Sequence, residues 1–267
     1  MDIKKFAFAI VSFSLACLAH PAFCAGTQAR QSAAAIPVHY AEETELVAVV
    51  CHLAGIGGFI FNEEDGVLPD YLADVDSTFA PFADHRAVKF AARKLFRNGF
   101  AWDMPMAFAL RLRIDDGHIG YNDGLDPDFE DYYSRISRSD EKRFIAMLED
   151  FYHDSSFGEF FRNHSELYGE CEEAMRKVVD HLDIAWYDSF FGPNDGGEFR
   201  VYLGLLNGPG NYAVHQKCQD GRELVNALMG CCDRDSDGRI HYGESYTLPV
   251  LIHEFNHSYC NPLNEAI

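Results

Sequence analysis

His253, Glu254 and His257 spell HEFNH near the end of the sequence, and this HExxH spacing is the strongest chemical signal in the chain. On a helix, residues four apart share a face, so the two imidazoles can chelate one zinc ion. Glu254, one position on, stands beside that face as a general base for zinc-activated water attacking a carbonyl. Chance would produce the pattern about 0.04 times in a chain of this length and His and Glu content, which makes it informative but not conclusive. The competing reading is a histidine-rich amphipathic helix whose His and Glu are surface or core groups.

A second pattern precedes it. Asp233, Asp235 and Asp237, then Gly238, Arg239 through its carbonyl, Ile240 and Glu244, fall at the oxygen-ligand spacing of a calcium loop. Such a loop needs an exit helix, and Gly243 with Pro249 argues against a long one. Asp and Gly are also ordinary turn residues, so the plain alternative is a solvated hairpin tip. His215 and His241 are further candidates for ligand or oxyanion roles. Asp84, His85, His164 and His181 read as helix decoration.

The elements that must position these residues are helical first and β later. Apolar periodicity predicts helices over 43–53, 84–98, 104–112, 140–152 and 165–182, with Gly55 and Gly99 as stops. Asp115, Asp116 and Gly117 read as a hairpin turn. From Glu198 onward the pattern is strand-like: Phe199, Val201, Leu203 and Leu205 alternate, and a second strand is expected over 222–232. The apolar run Leu248 to Ile252 then leads into the HEFNH segment. The fold class is α+β, a helix-rich N-terminal part followed by a small β-sheet and the HExxH helix.

Around this body, residues 1–24 read as a secretory signal peptide: Lys4 and Lys5, an apolar run from Phe6 to Ala19, then Pro21 and small residues. Residues 25–40 read as a small-residue linker and 41–267 as a single domain, exported to the periplasm or the extracellular space. No membrane span is expected in the mature chain. The formal charge of −20 argues against a nucleic-acid partner, because such proteins neutralise phosphates with a basic face. Beyond the candidate calcium loop, the acidity reads as solvated surface. Cys51, Cys171, Cys218, Cys231, Cys232 and Cys260 remain after the signal is removed and allow fifteen disulfide connectivities.

The strings LPVLIHEFNHSYCNPL and FRVYLGLLNGPGNY, with LEDFYHDSSFGEFFRNHSELY and DHLDIAWYDSFFG, resemble a family of exported bacterial proteins that carry a domain of unknown function and a zinc-metallopeptidase assignment. The resemblance covers most of the chain after residue 41. It implies a zincin-like site of the gluzincin type, with His253 and His257 as ligands, Glu254 as base and a later acidic third ligand. In zincins an exposed sheet edge aligns the substrate, a role open to Phe199–Leu206 with 207–212 at its mouth; an internal strand is the alternative.

The sequence departs from the pattern after His257, where only SYCNPLNEAI follows. A metzincin would need Gly at Cys260 and His at Leu263. Glu265 is the one remaining acid, beyond Pro262, which is expected to interrupt the helix. Cys260 shares the ligand face but reads more simply as a small buried residue. The third ligand therefore stays unidentified, and a chain shortened at its C-terminus is the simplest expectation. Two functions follow: an exported zinc-dependent peptidase acting on a peptide or protein substrate, or a non-catalytic exported binding or structural protein with a calcium loop and a vestigial zinc site.

Overall fold

The computed structural model describes residues 36–61, 66–128, 135–191, 197–230 and 232–265. The expected signal peptide, most of the linker and Cys231 lie outside these residues. The end of the expected linker is structured: Val38–Tyr40 forms strand β1, which runs into α1 (Glu42–Leu53). Three acids in the first turn of α1 suit the helix dipole, and Gly55, at φ 65°, turns the chain away after it. Helix α2 (Pro69–Phe79), not foreseen from periodicity, opens with proline at its first position, where a missing N–H costs nothing.

The helix expected over 84–98 is three pieces in continuous succession. His85 caps α3 (Arg86–Phe90) by accepting the Ala87 N–H at 3.2 Å, and a π turn (Ala91–Leu95) and a 3-10 turn (Phe96–Asn98) follow. Gly99 closes it at φ 91°. Helix α4 (Asp103–Ala109) ends before Leu112, because that residue joins β2 (Leu112–Asp115), paired antiparallel with β3 (His118–Tyr121) across Asp116 and Gly117. Both turn residues have positive φ, as a two-residue hairpin turn requires. Then come α5 (Arg138–Asp154), capped by Ser137, α6 (Phe157–Asn163), α7 (Ser165–Val179) and α8 (Ile184–Phe191).

The remaining strands are β4 (Gly197–Leu203), β5 (Tyr212–Lys217), β6 (Glu223–Met229) and the short pair β7 (Asp233–Arg234) and β8 (Ile240–His241). The main sheet has the order β1-β4-β6-β5, parallel from β1 through β6 and antiparallel between β6 and β5. Residues Leu224–Met229 of β6 are all buried, as expected of a strand covered on both faces. The fold is α+β, as the sequence pattern indicates.

The last element corrects two expectations. Helix α9 (Glu244–Glu265) starts directly after the Asp-rich hairpin and continues through both Pro249 and Pro262. A proline inside a helix removes the bond to the carbonyl four residues earlier. For Pro249 that carbonyl belongs to Ser245, and both residues are exposed, so water can satisfy the freed group. Thr247 and Tyr246 meanwhile donate their N–H groups to the Gly243 carbonyl at 2.8 and 2.9 Å, anchoring the first turn.

The acidity is also less idle than expected. Glu42 accepts the Tyr152 hydroxyl, Glu43 the Ile114 N–H, and Glu45 the Tyr71 hydroxyl and the Leu205 N–H. One acidic helix turn thus ties α1 to four other segments. Glu149 and Glu172 likewise accept the N–H groups of Ile119 and Tyr40. Among the described residues, Cys51, Cys171, Cys218 and Cys232 are buried and Cys260 is half-buried. No helix among the described residues is long and apolar enough to cross a membrane.

Candidate metal and hydrolytic site

Helix α9 lies against β5 and β6, and its sequence decides which side faces them. Leu251 and Phe255, four apart, are fully buried, and the Phe255 ring sits 4.5 Å from that of Phe199 on β4. The Tyr187 hydroxyl donates to the Ile252 carbonyl at 3.3 Å, docking α8 on the same helix. With that face inward, His253 is exposed and His257 half-buried, while Glu254 is buried at 6% exposure.

The two histidines of the HExxH motif meet. The Nε2 atoms of His253 and His257 stand 3.2 Å apart, with their rings nearly perpendicular. Two nitrogens bound at zinc distances around a tetrahedral ion stand about 3.3 Å apart, so the spacing fits a shared ion. It also fits one imidazole donating to the other. Partial burial and the neighbouring His257 lower the pKa of His253, which favours the neutral ring that a metal requires. Burial pushes the Glu254 carboxyl above its ordinary value; His257 and the Ala213 N–H, directed at the carboxyl, pull the other way.

Ala213 belongs to β5, the edge of the main sheet. Of the two positions open to Phe199–Leu206 from its sequence, an exposed edge or an internal strand, it takes the internal one: β4 lies between β1 and β6. Strand β5 escapes a periodicity reading because only Val214 and Gln216 along it are buried. Its far end is closed by Asp126, which donates to the Lys217 carbonyl at 2.7 Å, and the end next to Glu254 begins with Tyr212. Burial, then the charges of Asp103 and Glu254, push the Tyr212 phenol up to about 12. Its hydroxyl is buried without a hydrogen-bond partner among the described residues. Neither Tyr212 nor Ala213 carries a sequence signal of its own; the turn of residues 207–211 that follows the apolar alternation of β4 is the only cue.

No third His, Cys, Asp or Glu joins His253 and His257 among the described residues. Helix α9 extends to Glu265, whose side chain lies outside the described ones. Cys260 stays on the same helix, half-buried. His215 pairs with Glu223 at 3.3 Å and His241 lies exposed on β8. The histidines expected to be helix decoration have structural contacts: His85 caps α3, and His164 packs 4.2 Å from the Phe160 ring and reaches Asp74.

The Asp-rich segment forms a tight hairpin tip. Asp235 accepts the N–H groups of Asp237 and Arg239 and donates its own N–H to the Arg239 carbonyl, and Gly238 takes φ 78°. Asp233 accepts the Arg234 N–H, and Arg239 lies 3.8 Å from Asp237. The side chain of Glu244 lies outside the described ones.

A family model described as a domain of unknown function, DUF4932, matches residues 36–267. No curated protein and no solved structure matches the chain.

Proposed function

We propose that this chain, which belongs to the DUF4932 family of domains of unknown function, is an exported zinc-dependent hydrolase that cleaves peptides. The observation that carries the reading is the 3.2 Å approach of the two Nε2 atoms on the helix that also buries Glu254. His253 and His257 would hold the zinc ion, which would supply Lewis acidity at the bond to be broken. Glu254 takes a proton from the attacking water and returns it to the leaving amine. A carboxyl raised by burial is suited to both halves of that exchange. The main chain of β5 supports an extended peptide, since an edge strand can take a further strand through backbone hydrogen bonds. Export rests on the basic start, apolar run and small residues of 1–24.

Calcium is the second ion proposed, as a stabiliser at Asp233, Asp235, Asp237, Arg239 and Glu244. The immediate start of α9 supplies the exit helix such a loop needs, but Asp235 and the Arg239 carbonyl are already engaged within the turn. Zinc is therefore the ion assigned to the chemistry. Exhaustive chelation is expected to abolish cleavage of an extended peptide, and added zinc to restore it. Cleavage that survives chelation, or returns with calcium alone, contradicts this assignment.

A further inference from the structure

Three large apolar side chains stay in solvent: Trp102 is 62% exposed, Ile60 61% and Phe96 45%. Two of them converge on one turn. A Cβ at Gly57 would lie 3.6 Å from the Trp102 ring and 4.0 Å from that of Phe96, and Ile60 lies three residues further along the same loop. The next residue continues the surface toward the site: a Cβ at Gly58 would meet the Tyr212 hydroxyl at 3.1 Å and the Trp102 ring at 3.3 Å. Tyr212 in turn feels the charge of Glu254 and precedes Ala213, whose N–H is directed at that carboxyl. The exposed rings are thus continuous with the hydrolytic site through the 57–58 turn and Tyr212.

Trp102 is held there against its own backbone preference. It has φ 60° and ψ −113°, a region that a side chain with a Cβ rarely enters. Its N–H donates to the Gly57 carbonyl at 3.1 Å, and the next residue, Asp103, is clamped by Arg135 through two hydrogen bonds of 3.0 and 2.6 Å. A strained residue whose ring is mostly solvated gains little from packing, and such strain concentrates where a side chain serves a ligand.

Resting on the peptide-hydrolase reading, we infer that Trp102 and Phe96 form a specificity wall for an aromatic or long aliphatic side chain of the peptide laid along β5. Aromatic faces bind such groups by area burial and by offset or edge contacts. The main chain of β5 would set the peptide's direction and the wall would choose which residue stands near Glu254.

The test uses binding, so that its failure is separable from failure of the hydrolase reading. In full-length Glu254→Gln, Trp186→Phe protein, Trp102 is the one remaining tryptophan. Peptides of one backbone length carrying Phe or Leu are expected to shift its emission and to bind roughly tenfold more tightly than their Gly counterparts. Trp102→Gly removes the ring and relieves the φ strain, so peptide binding, read by calorimetry, should lose this preference while the melting temperature holds or rises. Phe96→Ala should weaken the preference in the same direction. Equal affinity for Phe and Gly peptides, or a preference unchanged in Trp102→Gly, overturns the inference. So does emission that responds only to protein concentration or to lipid vesicles, which would assign the rings to a second copy or a membrane surface. Preferential binding without any cleavage by the parent protein would leave the wall standing and remove the hydrolase.

Discussion

Glu254→Gln is expected to lower peptide hydrolysis by about 10²- to 10⁴-fold, the range a positioned general base contributes, with zinc content unchanged. Gln keeps the size of the side chain and an oxygen to accept the Ala213 N–H, so the helix and the adjacent edge strand should hold. What it cannot do is take up and return a proton. The parent protein carries a pH signature of the same group. In the metal-free protein burial raises the Glu254 pKa, so its carboxyl should titrate above the ordinary value of 4.5 when followed by carboxyl-carbon NMR against Glu254→Gln. Ala213→Pro, which deletes the opposing N–H, should move that titration higher still. Activity of Glu254→Gln near the parent level, or loss of its zinc, would remove Glu254 from the role of base.

The second large effect concerns stability. Glu45 is fully buried, and burial pushes its carboxyl up to about 7, against the hydrogen bonds from Tyr71 and Leu205. The native state therefore keeps this proton to higher pH than the unfolded chain does. Between about pH 4.5 and 7 unfolding releases it, so the contribution of Glu45 to stability falls as pH rises through that interval and is constant above it. A shift of this size corresponds to about 3 kcal/mol. Glu45→Gln stays neutral, can still accept the Leu205 N–H, and can donate to the Tyr71 oxygen, whose proton then serves Tyr168, 3.0 Å away. The variant should match the parent near pH 4.5 and exceed it by about 3 kcal/mol above pH 7, as read from urea unfolding at each pH. A difference that does not change across the interval would mean that Glu45 is not the titrating group.

The pairing of His253 with His257 was legible because residues four apart share one face of a helix. The hairpin at Asp116 and Gly117 and the stop at Gly99 were legible for a similar reason: positive φ demands particular residues. What escaped was set by distant partners. Strand β5 reads as polar until Gln216 is seen donating to the Leu110 carbonyl and Asn226 reaching both Val214 and Gln216. Pro249 looked like a break because the local rule cannot know that Ser245 faces water. The acids of α1 looked like surface because their acceptors' partners, Ile114, Tyr152 and Leu205, lie 71 to 160 residues away.

The central claim is that His253 and His257 hold zinc together, and elemental analysis of the full-length protein tests it directly. One zinc per chain after dialysis against trace metal, lost in His253→Ala and in His257→Ala with the melting profile retained, is the result expected. A parent protein without stoichiometric zinc, or zinc that persists in both variants, would contradict it.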